Sequence, residues 1–254
     1  MKLAVVGKGG AGKSALAGTI ARAWGRSGTP VLAVDLDPNP GLALSLGVPL
    51  SDEGLPGEAV EAAEGVAYGH RLRAGLTAAE AVELYAARGP DGVRFLQVGN
   101  IDRAAHSVAR NVVAIRGILR SFDAAGWNVL GDLEAGPTTP FEGYMKFAQL
   151  GLIVVEPTAV SLLTARRLAA ILEVDRLPFV FVANQVRSRA GEEAVGALAA
   201  ELGTELLASV PHDPAIEEAD RLGVPPIDHA PTSAGVGAMI EVARLLSARN
   251  GAVQ

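Results

Sequence analysis

The sequence predicts an α/β fold, a doubly wound and mostly parallel sheet with helices on both faces, and three observations carry that prediction. Short runs rich in Val, Ile, Leu and Ala recur along the 254 residues and alternate with longer segments of helical periodicity. The short runs are apolar throughout, which requires burial on both strand faces and so parallel strands with crossover helices. Residues are 49% hydrophobic but only 4% aromatic, a composition suited to aliphatic strands under packed helices.

Taken in order, strands are predicted at 2–7, 30–35, 93–98, 127–132, 151–156, 179–184 and 206–211. Helices are predicted at 13–26, 105–122, 161–174, 191–202 and 233–248, with Thr77 as the N-cap of a shorter helix reaching Ala87. Between 50 and 92 the pattern weakens into Gly-, Glu- and Pro-containing sequence. This stretch reads as an insertion decorating one domain that spans 1–254.

The formal charge is −6, which disfavours a general nucleic-acid surface. No cysteine is present, so disulfides, thiolate metal sites and cysteine nucleophiles are excluded. No apolar run reaches membrane-spanning length and no signal-peptide pattern opens the chain, so a cytoplasmic protein without membrane attachment is expected. No G-x-S-x-G elbow occurs, and His70, His106, His212 and His229 lack zinc-protease spacing, so each reads as a surface or loop residue.

The strongest motif is Gly7-Lys8-Gly9-Gly10-Ala11-Gly12-Lys13-Ser14, which matches G-x-x-x-x-G-K-S/T between a predicted strand and a predicted helix. It predicts binding of a nucleoside triphosphate with Mg²⁺, and ATP is preferred over GTP because Gln185 follows Asn184 and no Asn-Lys-x-Asp guanine signature is present. Backbone N–H groups of Gly9, Gly10, Ala11, Gly12, Lys13, Ser14 and Ala15 wrap the phosphates, Lys13 reaches the β- and γ-phosphates, and Ser14 ligates Mg²⁺. A second acidic strand end, 127–132 followed by Leu133-Glu134-Ala135-Gly136, reads as a Walker B segment. There Asp132 holds Mg²⁺ through water and the Gly136 N–H is offered to the γ-phosphate. Glu134 either orients water or faces solvent.

Lys8 is not needed by an ordinary phosphate loop. With it the motif resembles the deviant Walker A family, K-G-G-x-G-K-S/T, which includes MinD and ParA ATPases, nitrogenase iron protein and the ATPases that mature nickel carbon monoxide dehydrogenase. The resemblance implies that Lys8 crosses to a partner's nucleotide in an ATP-sandwiched homodimer. It implies that Asp37, in Asp35-Leu36-Asp37-Pro38-Asn39, positions Mg²⁺-linked or attacking water while Asp35 supports the loop and metal shell. It further implies that Asn184 hydrogen-bonds adenine, that Pro211, His212 and Asp213 flank the ring, and that Glu156-Pro157-Thr158 shapes the site.

The likeness runs through nearly the whole chain and is nearest to the carbon monoxide dehydrogenase maturation ATPases, through Asp35 to Pro40, Asp91-Gly92-Val93, Gly99-Asn100-Ile101 and Leu133 to Gly136. The C-x-C motif of that subfamily is replaced by Ala104-Ala105-His106-Ser107-Val108-Ala109-Arg110, so nickel delivery by thiolates is excluded. The resulting expectation is an ATP hydrolase, slow and partner-stimulated, with ATP, ADP and Mg²⁺ as ligands. Lys8, Lys13, Asp37 and Asp132 are its catalytic residues and Ser14, Asp37 and Asp132 its metal-directed ones. It acts as a dimerising switch that docks on a client protein and activates or matures it. The alternatives are a spatial-organisation ATPase of the ParA or MinD kind and a non-catalytic nucleotide-binding regulator.

Overall fold

The computed structural model describes residues 1–38, 41–66, 69–99 and 105–251. Asn39, Pro40, Asn100, Ile101 and Ala104, named in the motifs above, lie outside the described residues, as do the side chains of 105–108.

The first half of the chain gives β1 (Lys2–Gly7), α1 (Lys13–Arg26), β2 (Val31–Asp35) and α2 (Leu42–Leu46), then β3 (Val60–Ala62), β4 (His70–Leu72), α3 (Ala78–Tyr85), β5 (Ala87–Arg88), β6 (Val93–Gln97) and α4 (Ala105–Ser121). The second half gives β7 (Asn128–Asp132), α5 (Thr138–Phe141), β8 (Leu150–Val155), α6 (Ala159–Val174), β9 (Phe179–Val186), α7 (Arg189–Glu201), β10 (Leu206–Pro211), α8 (Pro214–Leu222), α9 (Pro226–His229) and α10 (Ala234–Gly251).

One eight-stranded sheet runs in the order β10-β9-β8-β1-β7-β2-β6-β5. Every neighbouring pair is parallel except β5 with β6. Because successive side chains of a strand point to opposite faces, the continuous apolar runs divide between two cores. Ala4, Val6, Leu32 and Val34 pack with Ile115 and Ile118 of α4 and Leu168 of α6. Leu3, Val5, Val31 and Ala33 pack with Leu16 and Ile20 of α1 and Val242 of α10. This two-sided burial gives the parallel sheet its reason, and it aligns the C-terminal ends of β1, β2 and β7 on one rim.

The segment at 50–92 does more than decorate. β3 and β4 pair as a separate antiparallel hairpin, but Ala87 and Arg88 pair with Phe95 and Arg94 and extend the main sheet. The short helix begins at the expected cap, where Thr77 accepts from the Glu80 N–H and Glu80 closes the capping box. It stops at Tyr85, two residues before the expected Ala87, because Ala86 is already extended and leads into β5.

Behind the rim, α1 is tied down by a nearly buried cation. Arg22 is 3% exposed; it donates to Asp91 and Asp228 and to the Leu46 carbonyl at 2.9 Å, joining α1 to the end of α2 and to α9. Arg22→Ala leaves that carbonyl without its charged donor, and a loss of about 2 kcal/mol is expected in urea unfolding. Arg26→Ala, on the exposed edge of the same network, should cost under about 1 kcal/mol.

Candidate nucleotide site

The loop after β1 is shaped by a tight turn. The Ala11 N–H donates to the Lys8 carbonyl at 3.2 Å, with Gly10 at φ 78 in the position where a type II turn needs a left-handed residue. Gly12 follows at φ 81, and α1 starts directly after it with no side-chain cap and no acidic residue in its first turn. The first N–H groups of α1 therefore keep their positive potential for an anion.

A cavity of about 550 Å³ opens over this helix start. Its wall includes Gly9, Gly10, Gly12, Lys13, Ser14, Ala15, Asp37, Asn184, Pro211, His212 and Asp213, so the phosphate loop, the first acidic loop and the expected base-side residues share one site. Ala11 is fully buried beneath it. A groove of about 820 Å³ lies elsewhere, lined by Met1, Gln149, Leu150, Pro178 and Arg249, and no residue expected at the site borders it.

Under the loop the two strand-end carboxylates lie side by side, Asp35 of β2 in register with Asp132 of β7. The Ser14 hydroxyl donates to Asp132 Oδ2 at 2.6 Å. Burial pushes the Asp132 carboxyl up to about 6, opposed by the Ser14 hydrogen bond and the Lys13 charge and reinforced by Asp37. Asp35 is raised well above the ordinary range by burial and by the charge of Asp132, although it accepts from the Asp37 and Leu42 N–H groups, each at 3.0 Å. Those two bonds fold the loop that carries Asp37, which fits a loop-supporting role. Glu134 is exposed, yet partial burial and the charges of Asp37 and Glu142 raise its carboxyl.

The donor set suits Mg²⁺. Asp132 Oδ1 is buried beside a serine hydroxyl with no partner among the described residues, and hard oxygen donors are what Mg²⁺ takes, completed by phosphates and water. No cluster of three carboxylate or imidazole ligands occurs among the described residues. Ser14 and Asp132 would hold the ion together with phosphate oxygens, with Asp37 at the cavity wall.

Several expected contacts are otherwise engaged. The Gly136 N–H, expected to face a γ-phosphate, donates to the Gly7 carbonyl at 3.0 Å, because the turn after β7 folds back along the end of β1. Lys8 turns back to Glu156, Nζ to Oε2 at 3.0 Å, and also donates to the Gly9 carbonyl. Asp213 caps α8 through the Ala215 N–H and accepts from the Gly235 N–H. Partial burial raises its carboxyl, and hydrogen bonds from Gly235, Ser233 and Ala215 more than reverse that, leaving it low. It braces the loop after β10. The Asn184 amide donates to the Ala11 carbonyl at 2.7 Å.

The sequence reading missed Glu156 as the partner of Lys8, although an acid at a neighbouring strand end was the available signal. It also missed Gln185, Ile216 and Met239 in the cavity wall. The last two come from α8 and α10, which only the fold brings to the rim.

Residues 3–227 match the CobQ/CobB/MinD/ParA nucleotide binding domain. The chain is 32% identical over 235 residues to an uncharacterized ATP-binding protein of Methanocaldococcus jannaschii, covering 89% of this chain and 90% of that one. It is 30% identical over 247 residues to the carbon monoxide dehydrogenase accessory protein CooC of Rhodospirillum rubrum, covering 91% of each. Among solved structures it resembles the cell division ATPase MinD of Pyrococcus furiosus, at TM-score 0.74 and 24% identity over 97% of this chain and 98% of that one. MinD of Pyrococcus horikoshii, solved with Mg-ADP, gives TM-score 0.73 and 22% identity over 96% and 95%. These two likenesses concern the fold. No described helix is long and apolar enough to cross a membrane.

The raised Asp132 carboxyl has a measurable consequence. Between its ordinary value of 3.8 and about 6, the folded chain keeps a proton that the unfolded chain releases. Its contribution to stability is present below about 4 and is lost as pH rises through about 6. Asp132→Asn stays neutral throughout. In ligand-free thermal melts the variant should gain on the wild type as pH rises from about 4 to about 7, and a constant offset would refute the shift.

Proposed function

The chain belongs to the CobQ/CobB/MinD/ParA nucleotide-binding family, and on that premise we propose that it hydrolyses ATP with Mg²⁺ and works as a dimerising switch that docks on a client protein to activate or mature it. The observation that carries the catalytic part is the Ser14–Asp132 hydrogen bond at the start of α1, beside Lys13 and a buried oxygen without a partner. Phosphoryl transfer asks for positioning and charge stabilisation, and these groups supply both.

In this reading Lys13, only 8% exposed and in the cavity wall, places its ammonium between the β- and γ-phosphates. Ser14 is held in one rotamer by Asp132, so its oxygen faces the phosphates already oriented. Asp37 lines the same cavity on a loop held by Asp35 and orders the attacking water. Mg²⁺ held by Ser14 and Asp132 would supply positive charge against that developing on the phosphate oxygens. Pro211, His212, Ile216 and Met239 also line the cavity and are assigned to the adenine end.

The client-directed part rests on the accessory protein that is 30% identical across 91% of both chains, whereas the MinD likenesses speak to fold. With no cysteine in the sequence, any maturation step here runs through the nucleotide switch and not through thiolate transfer of a metal. A homodimer is proposed because Lys8 is 33% exposed and, among the described residues, is held by its pair with Glu156 and one carbonyl. Released from Glu156, it can reach a nucleotide on a second copy.

Lys13→Ala should weaken ATP binding by about 2 to 3 kcal/mol, roughly 30- to 150-fold in calorimetry; unchanged affinity would remove the site. For the switch, light scattering with a non-hydrolysable ATP analogue should show a dimer that Lys8→Ala weakens without loss of nucleotide binding. Glu156→Gln, which frees Lys8, should lower the analogue concentration needed. A wild type that stays monomeric at micromolar concentration would leave an ordinary phosphate-loop ATPase.

A further inference from the structure

We infer that Asn184 and Gln185 are positioning residues of the phosphate loop, two side-chain amides that grip two of its consecutive carbonyls and so keep the loop in its anion-binding turn. The inference rests on the nucleotide-binding reading and gives Asn184 a different task from reading adenine. Two consecutive carbonyls of the loop are held: Gln185 Nε2 donates to the Gly10 oxygen at 2.9 Å, and Asn184 Nδ2 to the Ala11 oxygen at 2.7 Å.

A regular strand could not do this, because neighbouring side chains point to opposite faces. β9 departs from regularity at this place. Ala183 pairs with Ser209 and Val186 with Pro211, so three steps along β9 oppose two along β10, a bulge with one extra residue. Gln185 sits within it at φ 57, a left-handed conformation that a side-chain-bearing residue adopts rarely. The bulge turns two consecutive amides toward the same loop, and strain of this sort persists where the surroundings hold it for a purpose.

The effect on the loop follows from the planar trans peptide, in which fixing a carbonyl fixes the N–H opposite to it. In the peptide between Gly10 and Ala11, the N–H opposite the gripped oxygen is the one that closes the turn onto Lys8. In the peptide between Ala11 and Gly12, the N–H of Gly12 points away from Asn184. A carbonyl rotated the other way would present a negative oxygen to the phosphates, so the two amides exclude the conformers that repel the ligand. A neutral amide does this without adding a charge to compete with Lys13. The approach is so close that a Cβ on Gly12 would lie 2.3 Å from Asn184 Nδ2. Glycine at 12 is therefore required by its neighbour as well as by its own φ of 81.

The test separates gripping the loop from reading the base. Pyrophosphate, ADP and GDP are titrated by calorimetry into the wild type, Asn184→Ala and Gln185→Gly, with thermal melts to show that each variant is folded. Asn184→Ala should weaken all three ligands by a similar factor, about 10-fold, and leave the ADP-to-GDP ratio unchanged. Gln185→Gly removes the outer amide while suiting the left-handed backbone, so it should stay folded and weaken all three about 3-fold. Unchanged pyrophosphate affinity in both variants overturns the proposal, and so does a loss confined to ADP, which would make Asn184 a base reader. A wild type that binds none of the three overturns the nucleotide reading and the grip with it.

Discussion

Everything at the rim of the sheet depends on a carboxylate pair that the fold buries. Asp35 and Asp132 stand side by side at the ends of adjacent central strands, at 0% and 1% exposure. Two such charges out of water are costly unless hydrogen bonds and cations compensate them. The compensation builds the site: Asp35 gathers the N–H groups of its own loop, and Asp132 takes the hydroxyl of Ser14 and the field of Lys13. The helix start, the acidic loop and the lysine are thus held to one another before any ligand arrives. One oxygen of Asp132 has no partner among the described residues, which makes the site receptive to a cation.

The surrounding contacts are those of a chain satisfied by itself. Gly136 donates to Gly7, Lys8 pairs with Glu156, and the amides of β9 hold the loop carbonyls. The first two occupy groups that the sequence motif assigns to phosphates, whereas the third supports the loop without using any of its phosphate-facing N–H groups. The first two would therefore be exchanged on forming a closed nucleotide state, and the third kept. A switch needs both kinds, contacts that differ between its states and a frame that does not.

Much of this was legible in the sequence because local signals carried it. The buried strands showed as unbroken apolar runs, the phosphate loop as a complete motif between strand and helix, and the α3 start as Thr77 with Glu80 three residues on. Even α8, expected after the 210–214 loop but given no bounds, carries its signal: Asp213 as cap, Pro214 in the first turn and Gly223 left-handed at the end. What was not legible is pairwise and long-range. That Glu156 meets Lys8 across 148 residues and Asn184 meets Ala11 across 173 follows from strand order, which no local pattern encodes. The bulge in β9 was hidden for a related reason, since an apolar run that ends in Asn-Gln reads as a strand simply stopping.

The energetic scale of the Lys8–Glu156 pair bears on how such a switch is set. With the lysine side chain 33% exposed and the carboxylate 15%, the pair holds about 1 kcal/mol at most. In the proposed switch a triphosphate offers a denser charge, so the lysine would gain more from a second copy's nucleotide than it gives up at Glu156. A diphosphate offers less, and the balance moves back toward the internal pair. In such a dimer the carboxylate would lower the baseline for association in both nucleotide states by the same small amount, and a fixed offset of this kind leaves the difference between them intact. Glu156 thereby sets the threshold of the proposed switch while the γ-phosphate sets its direction. Because the threshold lies on the strand end of β8 and the direction in the loop after β1, substitution can tune one without disturbing the other.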